Sequence, residues 1–153
     1  MTVESIETRW MRSADMQEVL RIMDDTDEGG DERGLNSLLR KSSVMCVVAE
    51  IDGSIVGFAI YDVARVSKLK LLSLAVEQNA QRKGVGRRLA ELVLSKLNKK
   101  RNKVEAVVSE YNLPAQLFLR SMGFRAVSMS PAGSGSCDYK FTYKLPEMVG
   151  DEA

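Results

Sequence analysis

Apolar residues recur along this chain with two periods, and the switches between them lay out an ordered set of elements. Residues 4 to 11 read as a first strand, after which Met16, Val19, Leu20 and Met23 follow Ser13 at helical spacing and predict an amphipathic helix capped by Ser13. The acidic stretch Asp24 to Glu32 carries Gly29 and Gly30 and reads as a mobile surface loop before a short helix over residues 34 to 41. Val44 to Ile51 is an apolar run of strand length, and Asp52-Gly53 separates it from Ile55 to Tyr61 with the two-residue signal of a hairpin. Leu69 to Val76 alternates at first and becomes wholly apolar at Leu74-Ala75-Val76, as a strand does on entering the centre of a sheet.

Leu89, Leu92, Val93 and Leu97 mark one face of a long helix whose other side carries Arg87, Arg88, Glu91 and Lys96. Val104 to Val108 is the next strand. Residues 113 to 122 form a short helix with Pro114 in its first turn and Gly123 at its C-terminal end. Phe124 to Met129 and Tyr139 to Leu145 are the last strands, joined by the flexible loop Ser130 to Ser136, and residues 146–153 read as a flexible tail. Strand, two helices, three strands, helix, strand, helix and two strands in that order predict an α/β fold: one domain spanning residues 1–153, with a mixed sheet and helices packed on its faces.

Composition narrows the chemistry. There are 22 basic and 21 acidic residues, so the net charge of +1 gives no whole-chain attraction to nucleic acid or an anionic membrane. Cys46 and Cys137 form no Cys-x-x-Cys pair, and the absence of histidine excludes imidazole-containing zinc sets together with Ser-His-Asp and Cys-His machinery. No metal is expected, and proton transfer falls to Glu, Asp, Tyr, Lys, a terminal amine or water. The N-terminus has no apolar signal region and the chain no run of 18 apolar residues, which points to a cytoplasmic protein without membrane attachment.

The segment Leu74 to Leu89 joins the buried strand to the long helix through a basic, glycine-containing turn, Gln81-Arg82-Lys83-Gly84-Val85-Gly86-Arg87. Glycines let the backbone approach an anion, a helix N-terminus offers unpaired N–H groups, and the arginines and lysine add charge, so a pyrophosphate suits the turn. It is not a Walker loop, because no Lys-Ser/Thr follows the second glycine, and it lacks the third glycine of a dinucleotide fingerprint.

This (Gln/Arg)-x-x-Gly-x-(Gly/Ala) turn resembles the acetyl-CoA pyrophosphate loop of the GNAT acetyltransferases. Asn112 to Phe124 is similar to that superfamily's Asn-x-x-Ala…Gly-Phe segment, and Leu71 to Arg87 with Ala115 to Phe124 looks most like the ribosomal-protein alanine N-acetyltransferases of the RimI type. The resemblance implies a mostly antiparallel mixed sheet and direct transfer of an acetyl group from acetyl-CoA to a primary amine, such as the N-terminus of a ribosomal protein. It implies that Leu74, Ala75 and Val76 pair with pantetheine, that Gln81, Arg82, Lys83, Gly84, Val85, Gly86 and Arg87 hold the pyrophosphate, and that Asn112 contacts CoA. An N–H near Val76 would receive the carbonyl oxygen.

The chain departs from that pattern where the subfamily has a base glutamate, here Val107, and an acid tyrosine, here Leu119; the aromatic-Pro-Trp substrate loop is replaced by the acidic stretch. Glu105, on the same strand face as Val107, and then Glu110 are candidate bases, and Tyr139, followed by Tyr143 and Tyr111, the candidate acid. The acidic stretch would suit a basic peptide or a polyamine. A small-molecule amine acceptor, a CoA-binding module with little catalysis, and a nucleic-acid-binding role for Lys96, Lys99, Lys100, Arg101 and Lys103 are the rival readings, and Met45, Phe58 and Val63 suit either core or interface in a monomer or homodimer.

Overall fold

The computed structural model describes residues 5–26 and 30–146. Seven strands form one sheet: β1 (Ile6–Trp10), β2 (Val44–Ile51), β3 (Ser54–Asp62), β4 (Lys68–Val76), β5 (Lys103–Ser109), β6 (Arg125–Pro131) and β7 (Cys137–Lys144), in the order β1-β2-β3-β4-β5-β7-β6. Every neighbouring pair is antiparallel except β4 and β5. Helices α1 (Met16–Asp25) and α2 (Glu32–Leu39) precede β2, α3 (Val85–Leu94) crosses from β4 to β5, and α4 (Leu113–Ser121) joins β5 to β6. The sheet is therefore mixed and mostly antiparallel, with helices on both faces, as the element order implies.

Two cores follow from the alternation of the strands. On one face Val85, Leu89, Ala90 and Val93 of α3 and Leu119 of α4 pack against Val47, Ala59, Leu69, Val104 and Phe141. On the other, Val19, Ile22 and Met23 of α1 and Leu35 of α2 cover Val48, Phe58, Ile60 and Ala75. Phe58 is a core residue here. The second core takes strand residues from β2, β3 and β4 only, so among the described residues no helix covers that face of β5, β7 and β6. At the β2–β3 hairpin Asp52 and Gly53 have φ of 52° and 80°, the pair of positive angles that Asp-Gly supplies.

Several element ends differ from the sequence pattern. Ser13 begins a single 3-10 turn and does not cap α1; the anchor is Asp15, whose carboxylate accepts from Arg12 N (2.7 Å) and from the Arg9 guanidinium (2.7 and 3.1 Å). The described ends of the acidic stretch belong to the helices: Asp24 and Asp25 end α1, the Asp25 carboxylate accepts from Gln78 N (2.9 Å), Asp31 caps α2 through Gly34 N (2.7 Å), and Glu32 starts that helix. Asp27 and Glu28 lie outside the described residues. α3 stops at Leu94, and Leu97 reaches the first core from a turn that Asn98 holds by accepting from the N–H groups of Lys100 and Arg101. Cross-strand pairing carries β6 and β7 through Pro131 and Cys137, so the expected flexible loop narrows to a 3-10 turn at Gly133–Gly135. Of the expected tail over 146–153, residues 147–153 lie outside the described residues. Among the described residues no helix is long and apolar enough to cross a membrane, and no acidic or cysteine cluster could hold a metal.

Arg9, at once bonded to Asp15 and to Glu50 (2.9 Å), ties β1 to β2 and to the entrance of α1. The guanidinium holds the Asp15 carboxyl below its ordinary 3.8, so the stability it contributes is complete above that value and is lost as pH falls through and below it. Asp15→Ala should lower unfolding stability by about 2 kcal/mol at pH 7, the cost of leaving buried donors unpaired. In urea titrations the gap between variant and parent should shrink toward pH 3; a gap independent of pH would contradict the assignment.

Candidate functional site

β4 and β5 run together for only four residue pairs, from Lys68↔Lys103 to Leu71↔Ala106. Beyond them the strands part. The separation coincides with a bulge: β3 pairs Tyr61 with Leu71 and Ile60 with Ser73, which leaves Leu72 as an extra residue on β4 and bends the strand. The resulting cleft, of about 940 Å³, is lined by Leu71 to Val76 on one side and Ala106 to Ser109 on the other, and closed at one end by the turn into α3 and by α4. This is the size range of cofactor and ligand pockets.

Ladder alternation decides which main-chain groups of β4 face that space. Glu77 N donates to Val56 O (2.8 Å), so Val76 and Gly57 form a non-hydrogen-bonded pair, and the same holds two residues back for Leu74 opposite Ala59. The N–H and C=O of Leu74 and Val76 therefore point into the cleft, whereas Ala75 directs its groups to β3. Of the three strand residues that the resemblance assigns to pantetheine, two present backbone to the cleft. Gly57 is required here, because a Cβ at that position would lie 2.9 Å from Ala75 O.

At the far end of the cleft Arg82 (φ 67°) and Gly84 (φ 89°) adopt left-handed backbone and turn the chain sharply into α3. A Cβ on Gly84 would meet nothing within 4 Å, so open space lies above it. The first bond within the helix runs from Arg88 N to Gly84 O (3.0 Å), which leaves the N–H groups of the preceding turn pointing at that space. Arg82, Gly84, Val85, Gly86, Arg87 and Gln81 all line the cleft, and among the described residues the one carboxylate in its lining is that of Asp25, which Gln78 already engages. An anion fits this end. Gly86 also packs against Phe118 of α4, whose ring would lie in ordinary contact, at 3.4 Å, with a Cβ placed there.

Three side chains brace the cleft walls. Gln81 Nε2 donates to Val76 O (3.0 Å), and Gln78 clamps Asp25 through both its N–H and its amide. Buried Gln116 donates to the carbonyls of Ser109 and Glu110 (3.0 and 3.1 Å), where β5 ends. Asn112 lines the cleft while its side chain caps α4 by accepting from Ala115 N (3.2 Å). Sequence patterns alone missed Gln78 and Gln116, since neither glutamine stands in an informative spacing.

The candidate acid and base are not brought together. Glu105 is ion-paired to Lys68 at 3.0 Å, and, with Lys140 and Lys70 also near, its carboxyl lies below the ordinary value despite the opposing effect of burial. Tyr139 pairs with Val108, not Val107, and so faces the α3–α4 side beside Phe141, on the opposite face of the sheet from Glu105. Neither lines the cleft. Glu110 accepts from Cys137 N (3.1 Å), Tyr143 packs on Phe124 and Gly123, and Tyr111 is exposed. Leu119 and Val107, at the positions where the resemblance implies tyrosine and glutamate, do line it. Cys46 is buried, its thiol pushed up to about 12 by desolvation and by Asp15. A second hollow of about 540 Å³, between α2 and the bulge, shares Leu72 and Ser73 with the cleft and opens on the α1–α2 face.

A family model described as the acetyltransferase (GNAT) family matches residues 5–124. Among curated proteins no match is found. Solved structures with the same fold include Ard1 from Thermoplasma volcanium, 24% identical with a TM-score of 0.82, covering 95% of this chain and 100% of its own. The ribosomal-protein-S18-alanine N-acetyltransferase from Escherichia coli is 20% identical with a TM-score of 0.80, covering 97% and 99%. NAA60 of Arabidopsis thaliana in complex with acetyl-CoA is 17% identical with a TM-score of 0.76, covering 92% and 99%.

Gly84→Asp places a carboxylate in the anion end and a side chain on left-handed backbone. Calorimetry with CoA should show binding weakened at least about a hundredfold, close to 3 kcal/mol. Undiminished binding would remove the anion role from this turn.

Proposed function

This chain belongs to the acetyltransferase (GNAT) family and is an acyltransferase, and from that premise we propose that it moves an acetyl group from acetyl-CoA to the N-terminal amine of a polypeptide, of the ribosomal-protein alanine type. The observation that carries the reading is that one cleft unites an anion-binding helix N-terminus with the inward-facing main chain of Leu74 and Val76. Bound acetyl-CoA supplies a thioester whose acetyl carbonyl is open to attack by a neutral amine.

The turn from Gln81 to Arg87 holds the diphosphate by backbone N–H groups and by Arg82 and Arg87, with Lys83 adding charge. Leu74 and Val76 pair with the pantetheine amides, Ala75 between them stays bonded to β3, and Asn112, just beyond the end of β5, borders the pantetheine. An inward N–H of the splayed strand, that of Leu74, the nearer to the parting, stabilises negative charge on the carbonyl oxygen because it is fixed before reaction begins. The acceptor enters from the α1–α2 face, where Leu72, Ser73 and Val107 border the opening.

At the point where β4 and β5 part, the lining includes Leu71, Leu72, Ala106, Val107 and Leu119, and among the described residues neither carboxylate nor phenol joins them there. The requirement is modest: an α-amine ionises near about 8, so a useful share is neutral at physiological pH without a dedicated base. From outside the cleft, Glu105 and Tyr139 reach the reacting atoms only through water.

Acetyl-CoA with an Ala-initiated peptide should release free thiol in proportion to acetylated peptide. Glu105→Gln and Tyr139→Phe should each lose less than about tenfold in kcat, and kcat/KM should rise with pH to a plateau near about 8, the acceptor's own value. A hundredfold loss in either variant would assign proton transfer to that residue.

A further inference from the structure

The bare half of the α1–α2 face is strongly and locally basic, although the chain as a whole is nearly neutral. Cross-strand register places Lys68 and Lys70 of β4, Lys103 of β5, Lys140 and Lys144 of β7 and Arg125 of β6 on that one face, since Lys68 stands opposite Lys103, Lys103 opposite Lys144, Val107 opposite Lys140, and Arg125 opposite Thr142. Two carboxylates share these four strands, Glu105 and Asp138. Glu105 is taken by Lys68. Beyond β4, Asp62 lies opposite Lys70, but its carboxylate already accepts from Ala64 N at 2.8 Å. Among the described residues, no ion pair engages Lys70, Lys103, Arg125, Lys140 or Lys144.

This surface begins at the cleft. Val107, 62% exposed and part of the cleft lining, is the direct cross-strand neighbour of Lys140, and Lys70 is adjacent in sequence to Leu71, where the two strands part. From Val107 back to Lys103 the strand covers about 13 Å, the length of roughly four residues of extended peptide. Four extended residues after an acceptor amine at the parting of β4 and β5 are therefore long enough to span these cations.

We propose that the bare face of β4, β5, β7 and β6 is an acceptor-docking surface selective for polypeptides with acidic residues at the second to fifth positions after the acetylated amine. The proposal rests on the polypeptide-acceptor reading above and deepens it. It differs from the recruitment of a basic peptide expected from the acidic stretch, of which Asp25 accepts from Gln78 and Asp31 caps α2. A peptide fits better than a nucleic acid: the face carries no aromatic side chain for base stacking, and the carboxylates of Glu105 and Asp138 interrupt any track of phosphates.

The test is kcat/KM of the full chain, saturated with acetyl-CoA, for three Ala-initiated peptides that differ only in bearing acidic, neutral or basic residues at positions two to five. The acidic peptide should be preferred over the basic one at least tenfold at 50 mM salt, and the preference should fall at 300 mM, where screening shortens to about 6 Å. The paired variant Lys70→Glu with Lys140→Glu should abolish or invert it while changing the neutral peptide less than threefold; Lys103→Glu with Lys144→Glu, at exposed positions, gives a second pair should the first unfold. Equal use of all three peptides, or preference for the basic one, would overturn the docking surface and leave the polypeptide reading intact. Thiol release with none of them would overturn the polypeptide reading, and the docking surface with it. Retention of a 20-nucleotide RNA at 150 mM salt, lost in the same variants without any peptide preference, would assign the face to nucleic acid and overturn the proposal.

Discussion

Main-chain N–H and C=O groups in a sheet are obligatory hydrogen-bonding groups, and a strand that loses its neighbour must find another partner for them. Here that loss occurs at the centre of the sheet. The parallel ladder of β4 and β5 ends at Leu71↔Ala106, and from there Leu74 and Val76 direct backbone groups into the cleft, where Gln81 takes the Val76 carbonyl and the remaining groups are left to a ligand or water. The bulge at Leu72 creates the divergence, and the antiparallel pairing of β4 with β3 on its other edge keeps the strand from collapsing across the gap. The anion end, the acceptor opening and the basic face are all placed relative to this one break.

The break survives because both walls are held from behind. On the β4 side, Ala75 packs under α1, Arg21 pairs with Glu77 at 2.9 Å, and Asp25 receives two bonds from Gln78, so the end of α1 is fastened to the turn after β4. On the β5 side, Gln116 satisfies the carbonyls of Ser109 and Glu110, and Glu110 in turn bonds Cys137 at the start of β7. Phe118 then fits against Gly86 and joins the two helices that close the cleft. A helix start that must stay free to hold an anion is thus stabilised by contacts behind it rather than by a side-chain cap.

Much of this arrangement is written in local residue choices. Asp52-Gly53 has the two positive φ angles its type predicts, and the turn around Gly84 stands out because basic residues, glycine and a helix start coincide there. What the pattern conceals is relation between strands. Within β5, Glu105 and Val107 can be assigned to one face by alternation, but whether Tyr139 shares that face depends on pairing it with Val108 rather than Val107, a single-residue difference in register. The basic face is hidden for the same reason: Lys70, Lys103, Arg125 and Lys140 lie on four strands far apart in the chain and gather only when the sheet forms. Ser130 to Ser136 misleads in the opposite direction, since its serine, proline and glycine content signals a loop where pairing from β7 sustains a strand as far as Pro131.

The most direct test of the central claim is amide hydrogen exchange with and without acetyl-CoA. If the splayed strand and the α3 start form the donor site, saturating acetyl-CoA should slow exchange of Leu74 and Val76 and of the first turn of α3 at Val85, Gly86 and Arg87, while Ala75, already bonded to β3, changes little. Protection confined to other strands, or none on β4 although acetyl-CoA binds, would contradict the account.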